Sequence, residues 1–148
     1  DWPGDLFWEV FWPPEQLELA CADDAALAMR VARGGVSILL AGDVGPAQEK
    51  ALRAAGASLA AAVLVVARHG DAAATSEAWL DEVRPQEAII SSGPHADERH
   101  PDEALMERLL ARKIRVWRTD RQGTIHVELA REPARWPERS YRMGAAIR

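Results

Sequence analysis

Cysteine is nearly missing from this chain, Cys21 being the single one among 148 residues. One thiol makes neither an internal disulfide nor a paired-thiol zinc site, so nothing in the sequence demands an oxidising compartment. Long apolar runs are missing too. No stretch nears the roughly 20 residues of a membrane-spanning helix, and Asp1, Asp5 and Glu9 make the N-terminus unlike a secretory leader. Basic side chains are outnumbered, 18 Lys and Arg against 23 Asp and Glu. The resulting net charge of −5 argues against a large electrostatic footprint for nucleic acid. Neither the glycine fingerprint of a dinucleotide site nor that of a P-loop occurs, Ser37, Ser91 and Ser92 lack a nucleophile-elbow context, and Cys21 has no adjacent His.

What is present is the composition of one soluble globular domain, 48% hydrophobic and 28% charged. Its centre is a pair of short apolar runs, Val36-Ser-Ile-Leu-Leu-Ala-Gly-Asp43 and Ala62-Val-Leu-Val-Val-Ala-Arg-His-Gly70. Both are too short for a full helix and rich in branched side chains, so each reads as a buried strand ending in one ligand-type residue, Asp43 or His69. The segment between them opens with Pro46 and closes at Gly56, the punctuation of a helix. A βαβ unit follows, with a carboxylate and an imidazole at the strand edge where open α/β sheets carry their sites.

The flanks extend this unit. Leu6 to Phe11 is an aromatic strand stopped by Pro13-Pro14, and Glu15 to Asp24 is a loop. Ala25 to Val31 and Val36 to Leu40 make a hairpin around Arg33-Gly34-Gly35. In the first helix Ala47, Ala51, Leu52, Ala54 and Ala55 form the expected buried stripe, with Gln48, Glu49, Lys50 and Arg53 facing water. Thr75 or Ser76 caps a second helix ending near Val83, Glu87 to Ile90 is a short strand, and His100-Pro101 opens a third helix with Leu105, Met106, Leu109 and Leu110 inside. Ile114 to Trp117 and Thr124 to Leu129 are expected to pair across Thr119-Asp-Arg-Gln-Gly123. The fold class is α/β, a mixed sheet with helices. Residues 131–148, five Arg against two Glu, stand apart as a basic tail, expected to fray while packing at most Trp136, with phosphate or acidic lipid as an alternative contact.

The ordered set Phe11-Trp-Pro-Pro14, Leu39-Leu-Ala-Gly-Asp43, Val66-Ala-Arg-His-Gly70, Arg84-Pro85, His100-Pro101 and Arg118-Thr-Asp-Arg-Gln-Gly123 resembles the C-terminal part of the metallo-β-lactamase-like domain of ComEC-type competence proteins. The resemblance covers roughly residues 6 to 129 and rests on order and spacing rather than on one motif. It implies the second half of an αββα sandwich over residues 1–130. It also implies a soluble domain of a cytoplasmic-membrane protein for DNA uptake, with DNA and that protein's membrane channel domain as partners and the side of the membrane left open. By the same resemblance Asp43 bridges two metal ions, Zn²⁺ or Mn²⁺, and His69 binds one of them, both as catalytic groups of a nuclease.

The departures from that family matter as much. Its principal histidine cluster has no counterpart here, since no His precedes His69, and Arg68 stands where the family has a further His. A fixed cation beside a dication site disfavours metal, so no cofactor is expected in this chain alone. Three functional readings follow: a degenerate, silent domain; a two-metal phosphodiesterase whose other ligands lie outside this chain; and a scaffold domain. Each site residue also has a plain structural reading. Asp43 serves as a turn or helix-cap acid, His69 as a turn histidine paired with Asp71 or Asp43, and Arg68 as an ion-pair partner of Asp43 or Asp71 rather than a phosphate ligand. His100 is a cap or loop residue, and His95 and His126 are surface or strand residues. A sheet lacking half its sandwich is expected to expose apolar surface and to form homo-oligomers.

Overall fold

The computed structural model describes residues 5–14, 26–93, 100–129 and 141–146. The loop expected over 15–24, with Cys21, and the residues His95 and Trp136 lie outside them. Strands β1 (Leu6–Trp12) and β3 (Val36–Leu40) each pair antiparallel with β2 (Ala28–Arg33), which lies between them. The turn between β2 and β3 holds Gly34 and Gly35 at φ 57° and 81°, a left-handed pair whose twist matches that of the strands it joins. Strands β4 (Val63–Val65), β5 (Glu87–Ile90) and β6 (Arg115–Arg118) then add in parallel, giving a six-stranded mixed sheet in the order β1 to β6. Helices α1 (Pro46–Ala54), α2 (Glu77–Val83) and α3 (Glu103–Ala111) make the crossovers. No helix among the described residues is long and apolar enough to cross a membrane.

Strand alternation divides the core. Leu39, Leu64, Ala88 and Ile90 point to one face and pack with Leu52 of α1, Trp79, Leu80 and Val83 of α2, and Leu105 and Leu109 of α3. Val36, Val63 and Ile89 point to the other, against Tyr141, Ile125, Val127 and Leu129. Those last residues belong to a separate two-stranded antiparallel sheet, β7 (Thr124–Leu129) with β8 (Tyr141–Ala146). The α/β class with a mixed sheet is therefore found, as a helix layer, a large sheet and a small sheet. Strand β1 is outermost, with Phe7, Trp8 and Val10 53%, 59% and 45% exposed. Trp8 and Val10 lie opposite Val31 and Met29, in register with Ile38 and Leu40, so the apolar face beneath β7 and β8 continues outward to this edge.

Four expectations are corrected. Strand β6 pairs with β5 rather than with β7, because a one-turn helix α4 (Thr119–Gln122), ended by Gly123 at φ 70°, carries the chain to the other face of the sheet. Residues 141–146 are not a frayed terminus but strand β8, whose Tyr141 is buried. On α1 the alanines face outward and Gln48, Glu49 and Leu52 face inward, since the two polar side chains find backbone partners there. Leu110 is 75% exposed instead of lying inside.

Candidate functional site

All four parallel strands end at one edge of the sheet, and their turns are joined there by hydrogen bonds. After β3, Asp43 precedes Gly45, the N-cap of α1, whose amide donates to Gln48 Oε1 at 3.1 Å. Asp43 is exposed and is thus a turn residue rather than the helix cap. After β4, Arg68, His69 and Gly70 take φ of 49°, 54° and 96° in succession. Two non-glycine residues in the left-handed region store about 1–3 kcal/mol each and persist only where the surroundings over-determine them.

The surroundings are explicit. The Arg68 amide donates to the Gly42 carbonyl at 2.9 Å and its Nε to the Asp43 carbonyl at 3.1 Å. A β-carbon at position 45 would stand 3.0–3.3 Å from the Arg68 guanidinium, so the bare Gly45 makes room for that cation. His69 Nδ1 lies 2.7 Å from the Ser91 carbonyl after β5. A carbonyl only accepts, so Nδ1 carries the proton and Nε2 keeps its lone pair in the neutral ring. The Gly70 carbonyl accepts from the Asp102 amide at 2.9 Å, which ties the turn to the start of α3.

Farther along the edge lies a network that the sequence reading missed. Ser92 N donates to Thr119 Oγ1 at 2.8 Å, Ser92 Oγ to Asp120 Oδ1 at 3.1 Å, and Arg118 forks onto both Asp120 oxygens at 3.0 and 2.6 Å. The Arg118 guanidinium, then the Ser92 hydroxyl, hold the Asp120 carboxyl below its ordinary value of 3.8. A depressed carboxylate pKa stabilises the fold above the ordinary value, and that contribution is lost as pH falls through the lowered one. Asp120→Asn is accordingly expected to flatten the acid limb of stability measured by urea unfolding between neutral pH and about pH 2.5. An unchanged slope would remove the pair from the stability account.

The structure thus brings Asp43, Arg68 and His69 to one edge, but in altered relations. The expected ion pair of Arg68 with Asp43 or Asp71 is replaced by a bond to the Asp43 carbonyl, while Asp71 Oδ1 accepts from the Ala73 amide at 2.7 Å. His69 is held by Ser91, not by either acid. His100 lies just ahead of the α3 N-cap, Asp102, with a buried Nδ1 that has no hydrogen-bond partner among the described residues, and His126 is exposed on β7. Among the described residues no three of His, Cys, Asp and Glu converge on a point suited to a metal. Arg118 and Asp120 carried a usable signal, opposite charges two apart beside a strand end, which a hairpin-turn reading absorbed.

Comparison with known proteins bears on most of the chain. No family model matches it. It is 33% identical over 112 residues to ComE operon protein 3 of Bacillus subtilis, covering 76% of this chain and 14% of that protein. It is 36% identical over 133 residues to competence protein ComA of Neisseria gonorrhoeae, covering 88% of this chain and 19% of that protein. Recombination protein 2 of Haemophilus influenzae is 43% identical over 65 residues, 44% of this chain and 8% of that protein. The matched part spans less than a fifth of each relative's length. With a third or more of the aligned residues identical over 76% and 88% of its length, the chain belongs to the ComEC-type competence proteins.

Proposed function

We propose that this chain is the second β and α layers of a metallo-β-lactamase-like domain in a membrane protein for DNA uptake, and that its metal site is degenerate and catalytically silent. The observation that carries the silent reading is the Arg68 guanidinium, seated over Gly45 and bonded to the Asp43 carbonyl between the two turns that would supply ligands. A stable Zn²⁺ site uses three or four protein donors, and Asp43 with His69 gives two, with a fixed cation alongside. The donor set does not fit the metal. The sandwich reading is supported by the large sheet itself, whose face is apolar past the cover of β7 and β8, at Trp8 and Val10.

A second reading is favoured by one contact. The Ser91 carbonyl fixes the His69 tautomer and leaves Nε2 available, which is how metal-binding imidazoles are oriented. On that reading the chain is part of a two-metal phosphodiesterase whose other ligands come from polypeptide outside it.

Zinc calorimetry and thermal melts separate the two. The chain is expected to bind Zn²⁺ no more tightly than micromolar, whereas Arg68→His, which exchanges the cation for a neutral donor beside His69, should gain a zinc-dependent rise in melting temperature. Stoichiometric submicromolar binding abolished by Asp43→Ala would favour the phosphodiesterase. Should Arg68→His melt identically with and without zinc, Asp43 and His69 form no part of a site, and a scaffold role is the better reading.

A further inference from the structure

Strand β1 is the outermost of the large sheet, and the pairing of its neighbours decides which of its backbone groups are turned outward. The two-residue turn at Gly34 and Gly35 makes Arg33 and Val36 a hydrogen-bonded pair, so Arg33, Val31 and Met29 aim their backbone groups at β3. The Ser37 carbonyl, turned the other way to accept from the Ala62 amide at 3.0 Å, fits that phase. Ala32 and Arg30 therefore bond Phe7 and Glu9. The amides and carbonyls of Leu6, Trp8 and Val10 point outward, where no strand among the described residues meets them.

Nothing within Leu6–Val10 blunts this edge. Monomeric sheets guard an outer strand with lysine, proline, a bulge or an unmatched charge. Here the bulge falls between Val10 and Trp12, and Pro13 follows it. The two acids are already matched by β2, Asp5 by Arg33 and Glu9 by Arg30, each at 2.9 Å. Three of the five large apolar side chains exposed among the described residues, Phe7, Trp8 and Val10, stand on this one strand. An edge with spare backbone groups, apolar side chains and no uncommitted charge suits a strand of its own kind.

We propose that β1 pairs antiparallel with β1 of a second copy of this chain, across a twofold axis at Trp8, so that two six-stranded sheets become one. With Trp8 opposite its own counterpart, Leu6 meets the partner's Val10 and Phe7 meets the partner's Glu9. All three outward residues then bond, with about six hydrogen bonds in all. Centring on Glu9 would oppose the two Glu9 carboxylates, and centring on Phe7 would set Asp5 against the partner's Glu9, like charges that cross-strand pairing disfavours. Charge thereby selects the register. The sandwich reading concerns the face on which Trp8 and Val10 lie, whereas this pairing uses the edge, so either can fail alone.

Sedimentation velocity of the full chain from roughly 5 to 500 µM tests it, a range suited to an interface of less than standard size. The sedimentation coefficient is expected to climb from that of one chain toward that of two. Trp8→Lys sets two cations together at the axis, and Val10→Pro removes an outward amide without touching the ladder to β2; each should weaken dimerisation about tenfold or more. Both should melt like the diluted parent, since neither side chain is buried. Should the proline variant not fold, Trp8→Lys carries the test. In a Cys21→Ser background, Trp8→Cys should cross-link to its counterpart under mild oxidation, because Cα atoms about 5.5 Å apart are within disulfide reach, whereas Phe7→Cys should not. A parent that stays monomeric throughout, variants that dimerise within twofold of it, or cross-linking at position 7 as ready as at position 8 would each overturn the proposal.

Discussion

Gly70→Ala is expected to cost the fold about 3–5 kcal/mol, with the melting temperature falling by roughly 10 °C. The position has φ 96°, which an L side chain rarely adopts. An alanine β-carbon there would lie 2.7 Å from Pro101 Cβ, 3.0 Å from Pro101 Cα and 3.2 Å from Ile90 Cγ2. Backbone strain of about 1–3 kcal/mol and overpacking of similar size act together, because neither the Pro101 ring nor the buried Ile90 has a flexible end that can move aside. Gly56→Ala is the control: φ is 67°, but nothing lies within 4 Å, so only the backbone cost of about 1 kcal/mol remains. Urea unfolding of the pair decides the matter. Equal losses at the two positions would mean that the approach of Pro101 to Gly70 carries no energy.

Glu49→Ala is expected to cost about 2–5 kcal/mol, large for a residue on the charged side of a helix as the sequence reads. The side chain is 2% exposed. Its Oε1 accepts from the Thr75 amide at 2.5 Å, and Oε2 from the Ser76 amide at 3.2 Å. From the other side Arg108 donates to the carbonyls of Ala72, Ala74 and Thr75 at 3.2, 3.1 and 2.8 Å. The segment leading from His69 into α2 is therefore held by an acid on its amides and a guanidinium on its carbonyls. Alanine at 49 leaves buried amides unmet, whereas Glu49→Gln keeps an acceptor and should lose about half as much. If the Ala and Gln variants unfold at the same urea concentration, acceptance by the carboxylate is not what holds the segment.

The sequence disclosed the parts of this molecule whose physics is local. Short apolar and aromatic runs located β1 to β5, Gly34-Gly35 announced a hairpin, and a cap was recognisable at Thr75 or Ser76, of which Ser76 serves, its hydroxyl accepting from the Trp79 amide at 3.2 Å. What it hid was set by distant partners. Glu49 looks solvent-facing until residues 75 and 76 arrive against it. Thr119 to Gly123 looks like a hairpin turn, yet the strand that pairs with β7 lies past it, at Tyr141–Ala146. Among the site residues, Asp43, Arg68 and His69 were legible as strand-end residues, but the carbonyl partners of Arg68 and His69 were not, because backbone acceptors carry no sequence signature.

The order of strands in the large sheet repeats their order in the chain, β1 through β6 without a transposition. During synthesis each strand leaving the ribosome would find its neighbour already made, so the sheet can grow from one side and never has to open to admit a late arrival. Loop closure stays short at every step, which favours rapid folding for a sheet three of whose five pairings are parallel. The small sheet is the exception: β7 waits for β8, and until Tyr141 arrives the surface over Val36, Val63 and Ile89 lacks its last cover, making the interval between the synthesis of β7 and that of β8 the one in which a nascent chain most needs protection from its neighbours.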